Sequence, residues 1–182
     1  IQHNHESRGG YKQIKSISAI RYEGWMELDG KSYPLIVETK RPNYYQRLVQ
    51  DGDEQSIISR DDSAVTQDGA QLGLPLTYTN DWLASWEFDG WMTDWKKKGP
   101  QVWGLGMKKF GDQLPGIMEA KRNSGQVWNI YVDSHTGDAF RQAMIGSQGE
   151  ELLVLEFDDY RDVDGFRLSH QVRYFDGDRL LA

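Results

Sequence analysis

Apolar and polar residues alternate with period two along most of this chain, the spacing of strands that are half buried. Between Ile17 and Leu28, the residues Ile20, Tyr22, Met26 and Leu28 share one face. Tyr33, Leu35, Val37 and Thr39 alternate against Ile36, Glu38 and Lys40. Trp128, Ile130 and Val132 alternate with Asn129, Tyr131 and Asp133, and Leu168, Val172 and Tyr174 with Ser169, Gln171 and Arg173. Asp-Gly pairs at 29–30, 51–52, 68–69, 164–165 and 176–177 punctuate these runs. Asp-Gly between alternating runs signals a hairpin, because both turn positions favour positive φ. No helical pattern follows each strand, which excludes a parallel, doubly wound sheet. The pattern predicts one continuous antiparallel sheet over 16–72 and 101–177, with one polar face.

From Leu76 to Lys98 the period lengthens. Trp82, Leu83 and Trp86 fall on one helical face behind a cap at Thr79 or Asn80; Trp91, Met92 and Trp95 repeat the spacing before Gly99-Pro100. A helical segment about 76–98 is therefore expected inside a β chain, with further helix before residue 16. A greasy sheet face must be covered, and a curved sheet closed by helices leaves a concave apolar interior suited to small ligands. No linker, repeat or low-complexity tract divides the sequence, so residues 1–182 read as one domain.

Composition narrows the functions. The chain of 182 residues has 21 Lys and Arg against 28 Asp and Glu, a net charge of −7, and no basic run beyond Lys96-Lys97-Lys98. That argues against nucleic acid as a partner. The absence of cysteine removes disulfides, thiol nucleophiles and thiolate metal sites. Seven Trp, nine Tyr and six Phe are many for a chain of low hydrophobicity, and point to aromatic surface kept for a ligand or partner. Ile1 is not an initiator methionine and no leader pattern follows it, so the chain reads as processed or trimmed, which leaves export open.

Reaction chemistry is not specified. His3-Asn4-His5 lies in a polar terminus expected to fray. His135 falls in a turn, and His170 lies on the apolar face of the last long strand, where a hydrogen-bonded core histidine is expected. The acidic stretch Asp158 to Gly165 resembles a calcium loop, but Tyr160 and Gln171 stand where that loop needs Asp and a bidentate Glu, so it reads as a solvated turn. Pairs such as Glu87 and Asp89, or Glu119 and Glu156, are not selected by any spacing. No cofactor or metal is implied, and the residues alone describe a β-rich binding domain rather than an enzyme.

One motif goes further. An extended strand, then Lys40-Arg41-Pro42-Asn43, then Tyr44-Tyr45, resembles the LolA/LolB-like periplasmic lipoprotein carriers, and more specifically the outer-membrane lipoprotein-sorting proteins. Gly9-Gly10, Tyr22-Glu23-Gly24, Phe88-Asp89-Gly90, Ile130 to Ser134 with Thr136-Gly137, and Asp159 to Phe166 follow in the family's order over nearly the whole chain. The resemblance implies a mainly β, half-open antiparallel barrel under a short helical lid, with an apolar cavity for acyl chains. It implies that Arg41 holds the lid and that Tyr45 faces the cavity. Arg47 stands where the carriers have an aromatic residue, and the family's long N-terminal helix is represented only by residues 1–13.

The expectation is thus a non-catalytic, periplasmic, monomeric carrier of a lipid or lipidated protein, exchanging cargo with membrane-associated donor or acceptor proteins. Its ligand-binding residues are Ile20, Tyr22, Met26, Leu35, Val37, Arg41, Tyr45, Trp82, Leu83 and Trp86. The alternative is a carbohydrate-binding or cell-envelope sensor module that stacks ligands on exposed tryptophans; an enzyme that has borrowed the fold is a third reading.

Overall fold

A computed structural model describes residues 1–41, 44–60, 65–71, 92–94, 96, 101–122, 125–177 and 179–182, and among these described residues lie thirteen strands and two short helices. The residues group into two compact units, one of 17–90 with 182, the other of 1–16 with 91–181.

The first unit holds a six-stranded sheet in the order β1 to β6: β1 (Ala19–Leu28), β2 (Lys31–Lys40), β3 (Tyr44–Asp51), β4 (Glu54–Arg60), β5 (Val65–Gln67) and β6 (Ala70–Gln71). Each strand pairs antiparallel with the next. Asp29-Gly30 makes the first turn with φ of 50° and 73°, the two left-handed positions that a two-residue hairpin loop matched to strand twist requires.

The second unit holds a seven-stranded antiparallel sheet, also a meander: β7 (Gln101–Met107), β8 (Gly116–Lys121), β9 (Val127–Val132), β10 (Ala139–Ile145), β11 (Glu151–Val163), β12 (Phe166–Asp176) and β13 (Arg179–Leu180). The expected single continuous sheet is therefore two open sheets. A hairpin connection takes two to five residues, and the stretch from 72 to 100 between β6 and β7 is far longer. The expected polar face also fails in the second sheet. Val102, Ala120, Trp128, Ile130 and Leu155 are buried on one side with Met92, while Ile117, Tyr131, Ala143 and Val154 are buried on the other.

The N-terminus is ordered, not frayed. Helices α1 (Gln2–Ser7) and α2 (Tyr11–Ser16) replace one longer helix because Gly9 and Gly10 both take positive φ. Asn4, 2% exposed, donates from Nδ2 to the Gly137 carbonyl at 2.7 Å. A Cβ on Gly137 would lie 2.8 Å from the His3 carbonyl oxygen, so the close approach of α1 requires glycine there. Gln13 Nε2 donates to the Asp164 carbonyl at 3.0 Å, and Arg8 lies over the Phe166 ring at 4.9 Å. Thus Gly9-Gly10, Thr136-Gly137 and Asp164 to Phe166, distant in sequence, meet where the helices dock.

Two further expectations change. His170 is exposed and not a core residue; Asp159, on the neighbouring strand β11, takes a positive φ of 49°. Residues 92–94 form a turn and bend rather than helix, with Asp94 at φ of 55°. Tyr11 Oη and Lys15 Nζ both donate to the Asp94 carboxylate at 2.6 Å, which fixes that conformation. The remainder of the expected helical segment at 76–98, apart from Lys96, lies outside the described residues.

Candidate functional site

Cross-strand register brings the sequence-selected residues onto one face of the six-stranded sheet. Tyr22 stands opposite Val37, Ile20 opposite Thr39, Gly24 opposite Leu35, and Met26 opposite Tyr33. On the other side of β2, Val37 faces Arg47 and Thr39 faces Tyr45. Period two makes all of these side chains share a face. Val37, Tyr45 and Val65, each at most 5% exposed, form its centre; Tyr22, Leu35 and Ile58 pack around them. Ile20 and Met26 are half-buried toward the end and edge of the face.

Arg41 sits just beyond β2. Its Nε donates to the Ile17 carbonyl at 2.8 Å, and its backbone N–H to the Ser18 carbonyl at 2.9 Å. The half-buried guanidinium thereby ties the end of β2 to the start of β1. Trp82, Leu83 and Trp86 lie outside the described residues.

The face is apolar with two hydroxyls in its middle. Burial pushes the Tyr45 phenol well above its ordinary pKa, against a smaller opposite effect of the Arg47 charge, so it stays neutral across the physiological range. Thr39 is 5% exposed, and its Oγ1 has no hydrogen-bond partner among the described residues. Gly24 interrupts the row Ile20, Tyr22, Met26 on β1. A Cβ built there would meet nothing within 4 Å, so the face has a notch opposite Leu35. Such a surface offers dispersion contacts and neutral hydroxyls, with the Arg47 cation between Val37 and Ile58. Among the described residues no group of three His, Asp or Glu is placed to hold a metal ion.

Sequence reasoning missed Ile58 and Val65. Ile57 and Ile58 are adjacent, so alternation alone cannot say which points to the core. Val65 is the first residue of a three-residue strand, too short to show a period.

No protein-family model matches the chain, and no curated protein does. Solved structures do. A domain assigned to the outer membrane lipoprotein-sorting proteins of Vibrio parahaemolyticus is similar with a TM-score of 0.58 at 12% identity, covering 96% of this chain and 83% of that one. A LolA superfamily protein from Nitrosomonas europaea gives 0.53 at 11% identity, with 96% and 84% covered. A DUF1329 family protein from Desulfovibrio piger gives 0.53 at 10% identity, with 97% and 86% covered. At such identities the likeness is one of fold, and that fold is LolA-like: mainly antiparallel β, in open sheets. Among the described residues no helix is long and apolar enough to cross a membrane.

Proposed function

We propose that this protein is a non-catalytic carrier that binds acyl chains of a lipid or lipidated protein against the apolar face of β1 to β5. The observation that carries the reading is that face itself, in a LolA-like fold. Tyr22, Leu35, Val37, Tyr45 and Val65 form a continuous apolar floor with a notch at Gly24. Each methylene transferred to such a floor contributes about 0.8 kcal/mol, so eight to ten supply roughly 6–8 kcal/mol before ordering costs. Among the described residues the floor has no paired general acid and base, and the Tyr45 phenol is held neutral, which suits binding better than reaction.

In this reading residues 1–182 serve as one periplasmic carrier domain, monomeric, exchanging cargo with membrane-associated donors or acceptors. Trp82, Leu83 and Trp86 cover the acyl chains, and Arg41 steadies the strand end nearest the Lys-Arg-Pro-Asn sequence. Mass spectrometry of material co-purified with the protein from its native envelope tests the proposal. Stoichiometric diacyl or fatty-acyl species support it; a soluble sugar or no organic ligand counts against it.

One observation favours a second reading. Trp25, on the opposite face of β1, is 69% exposed and stands across from Pro34. An open indole of this kind is a stacking platform for a sugar ring. Loss of sugar binding in Trp25→Ala, with acyl binding absent from the parent protein, would select that alternative.

A further inference from the structure

The exposed large apolar residues are not spread evenly. Trp103, Leu105, Met107, Phe110 and Leu114 all fall in the hairpin formed by β7, β8 and their connection. Leu105, Met107 and Leu114 are each more than half exposed, at 52%, 57% and 53%. The hairpin is nevertheless well built. Lys108 N–H donates to the Pro115 carbonyl at 3.3 Å, and Phe110 and Gln113 exchange two backbone hydrogen bonds of 3.0 Å. The Phe110 ring lies 5.2 Å from Tyr131 and 6.2 Å from Phe140, with the Arg141 guanidinium 5.1 Å from its centre. A register shift between Gly104 and Gly106 bulges Leu105 out of the ladder. Phe110 thus anchors the arm, while Leu105, Met107 and Leu114 are held in water.

Charge selects the occupant. The chain carries a net −7, yet residues 101–116 contain Lys108 and Lys109 against Asp112 alone. Both lysines are exposed and, among the described residues, neither forms an ion pair. Apolar side chains beside unpaired lysines, on an otherwise acidic protein, match the interface of an anionic bilayer. Aliphatic groups enter the headgroup–acyl boundary there while ammonium groups meet lipid phosphates. We infer that the β7–β8 hairpin docks this protein onto anionic membrane surfaces, with Leu105, Met107 and Leu114 inserting and Lys108 and Lys109 contacting the headgroups. Docking by this arm is separate from the acyl-binding floor and does not require it.

The test is flotation of the purified chain with vesicles of equal parts phosphatidylglycerol and phosphatidylcholine, and with pure phosphatidylcholine. The chain should float with the mixed vesicles, much less with the neutral ones, and less as salt is raised. K108E/K109E should weaken the association by about thirtyfold or more, since each lysine near an anionic surface is worth roughly fivefold. Leu105→Ser with Leu114→Ser should weaken it comparably, and Trp25→Ala should leave it unchanged. K108E/K109E should still bind a fluorescent fatty acid as the parent does. A chain that floats through the hairpin but takes no fatty acid retains docking and sinks carriage. Equal flotation with both vesicle types, or hairpin variants that float like the parent, overturns the inference. So does self-association in sedimentation that the Leu114→Ser change abolishes, which would make the arm a contact between copies.

Discussion

Thr39 and Tyr45 face each other across β2 and β3 in the most buried part of the apolar floor. A buried hydroxyl without a partner costs desolvation and returns nothing. Thr39→Val keeps the shape and removes the hydroxyl, so thermal unfolding should show unchanged stability or a gain of up to about 1 kcal/mol. A loss of that size would mean that the hydroxyl is satisfied. Arg41→Leu removes the bond to the Ile17 carbonyl and should cost about 1–2 kcal/mol, while speeding release of a bound fatty-acid probe in stopped-flow exchange. His5 supplies a pH-dependent counterpart. Burial is the main cause that lowers its pKa below 6.5, helped by the N-terminus and Arg8; the Met92 carbonyl and Asp94 act the other way. Thr93 and the Tyr11 ring also face the imidazole. The folded state favours the neutral ring. Its contribution is therefore complete above pH 6.5 and declines as pH falls from there toward the lower folded pKa. Melting temperature should drop over that window, and His5→Phe should flatten the slope. An unchanged slope contradicts this account.

At the scale of elements, docking of α1 rests on the turn from Asp133 to Asp138. Asp133 Oδ1 accepts from the N–H groups of Thr136 and His135 at 2.7 and 2.8 Å, and these bonds hold its pKa below the usual carboxylate value. Gly137→Ala forces a side chain into the His3 carbonyl at a backbone φ of 78°. A cost of about 1–3 kcal/mol is expected, with faster amide exchange across residues 2–7. Gly30→Ala, at an open turn with φ of 73°, should cost about 1–2 kcal/mol from backbone strain alone and leave that exchange untouched.

The same elements show what a sequence makes legible. Hairpins at Asp29-Gly30 and Asp164-Gly165 were readable because turn chemistry is local, and β1 and β2 because each alternates over ten residues. Parity grouped Leu35 with Val37 on β2 and Tyr22 with Ile20 and Met26 on β1, whereas Tyr45 came from the resemblance to the carriers and the shared face from the register. The docking of α1 was not readable, because Asn4 and Gly137 are joined only by the fold. Nor was the two-sided burial of the second sheet, since Tyr131 and Val154 become core only when their neighbours are in place. Ile58 and Val65 needed the register of β4 and β5, which adjacent isoleucines and a three-residue strand cannot supply.

At the scale of the whole molecule, the proposed carrier keeps one sheet face of a LolA-like fold for acyl chains. The direct measurement is titration with a fluorescent fatty-acid analogue, followed by both probe emission and melting temperature. Saturable binding in the micromolar range is predicted, with a stabilisation near 2.7 kcal/mol when free ligand reaches about a hundred times Kd. Gly24→Leu should fill the notch opposite Leu35, leaving the unliganded melting temperature within a few degrees of the parent while weakening binding at least tenfold. A titration without saturation or thermal shift, or a Gly24→Leu chain that binds as the parent does, would contradict the account.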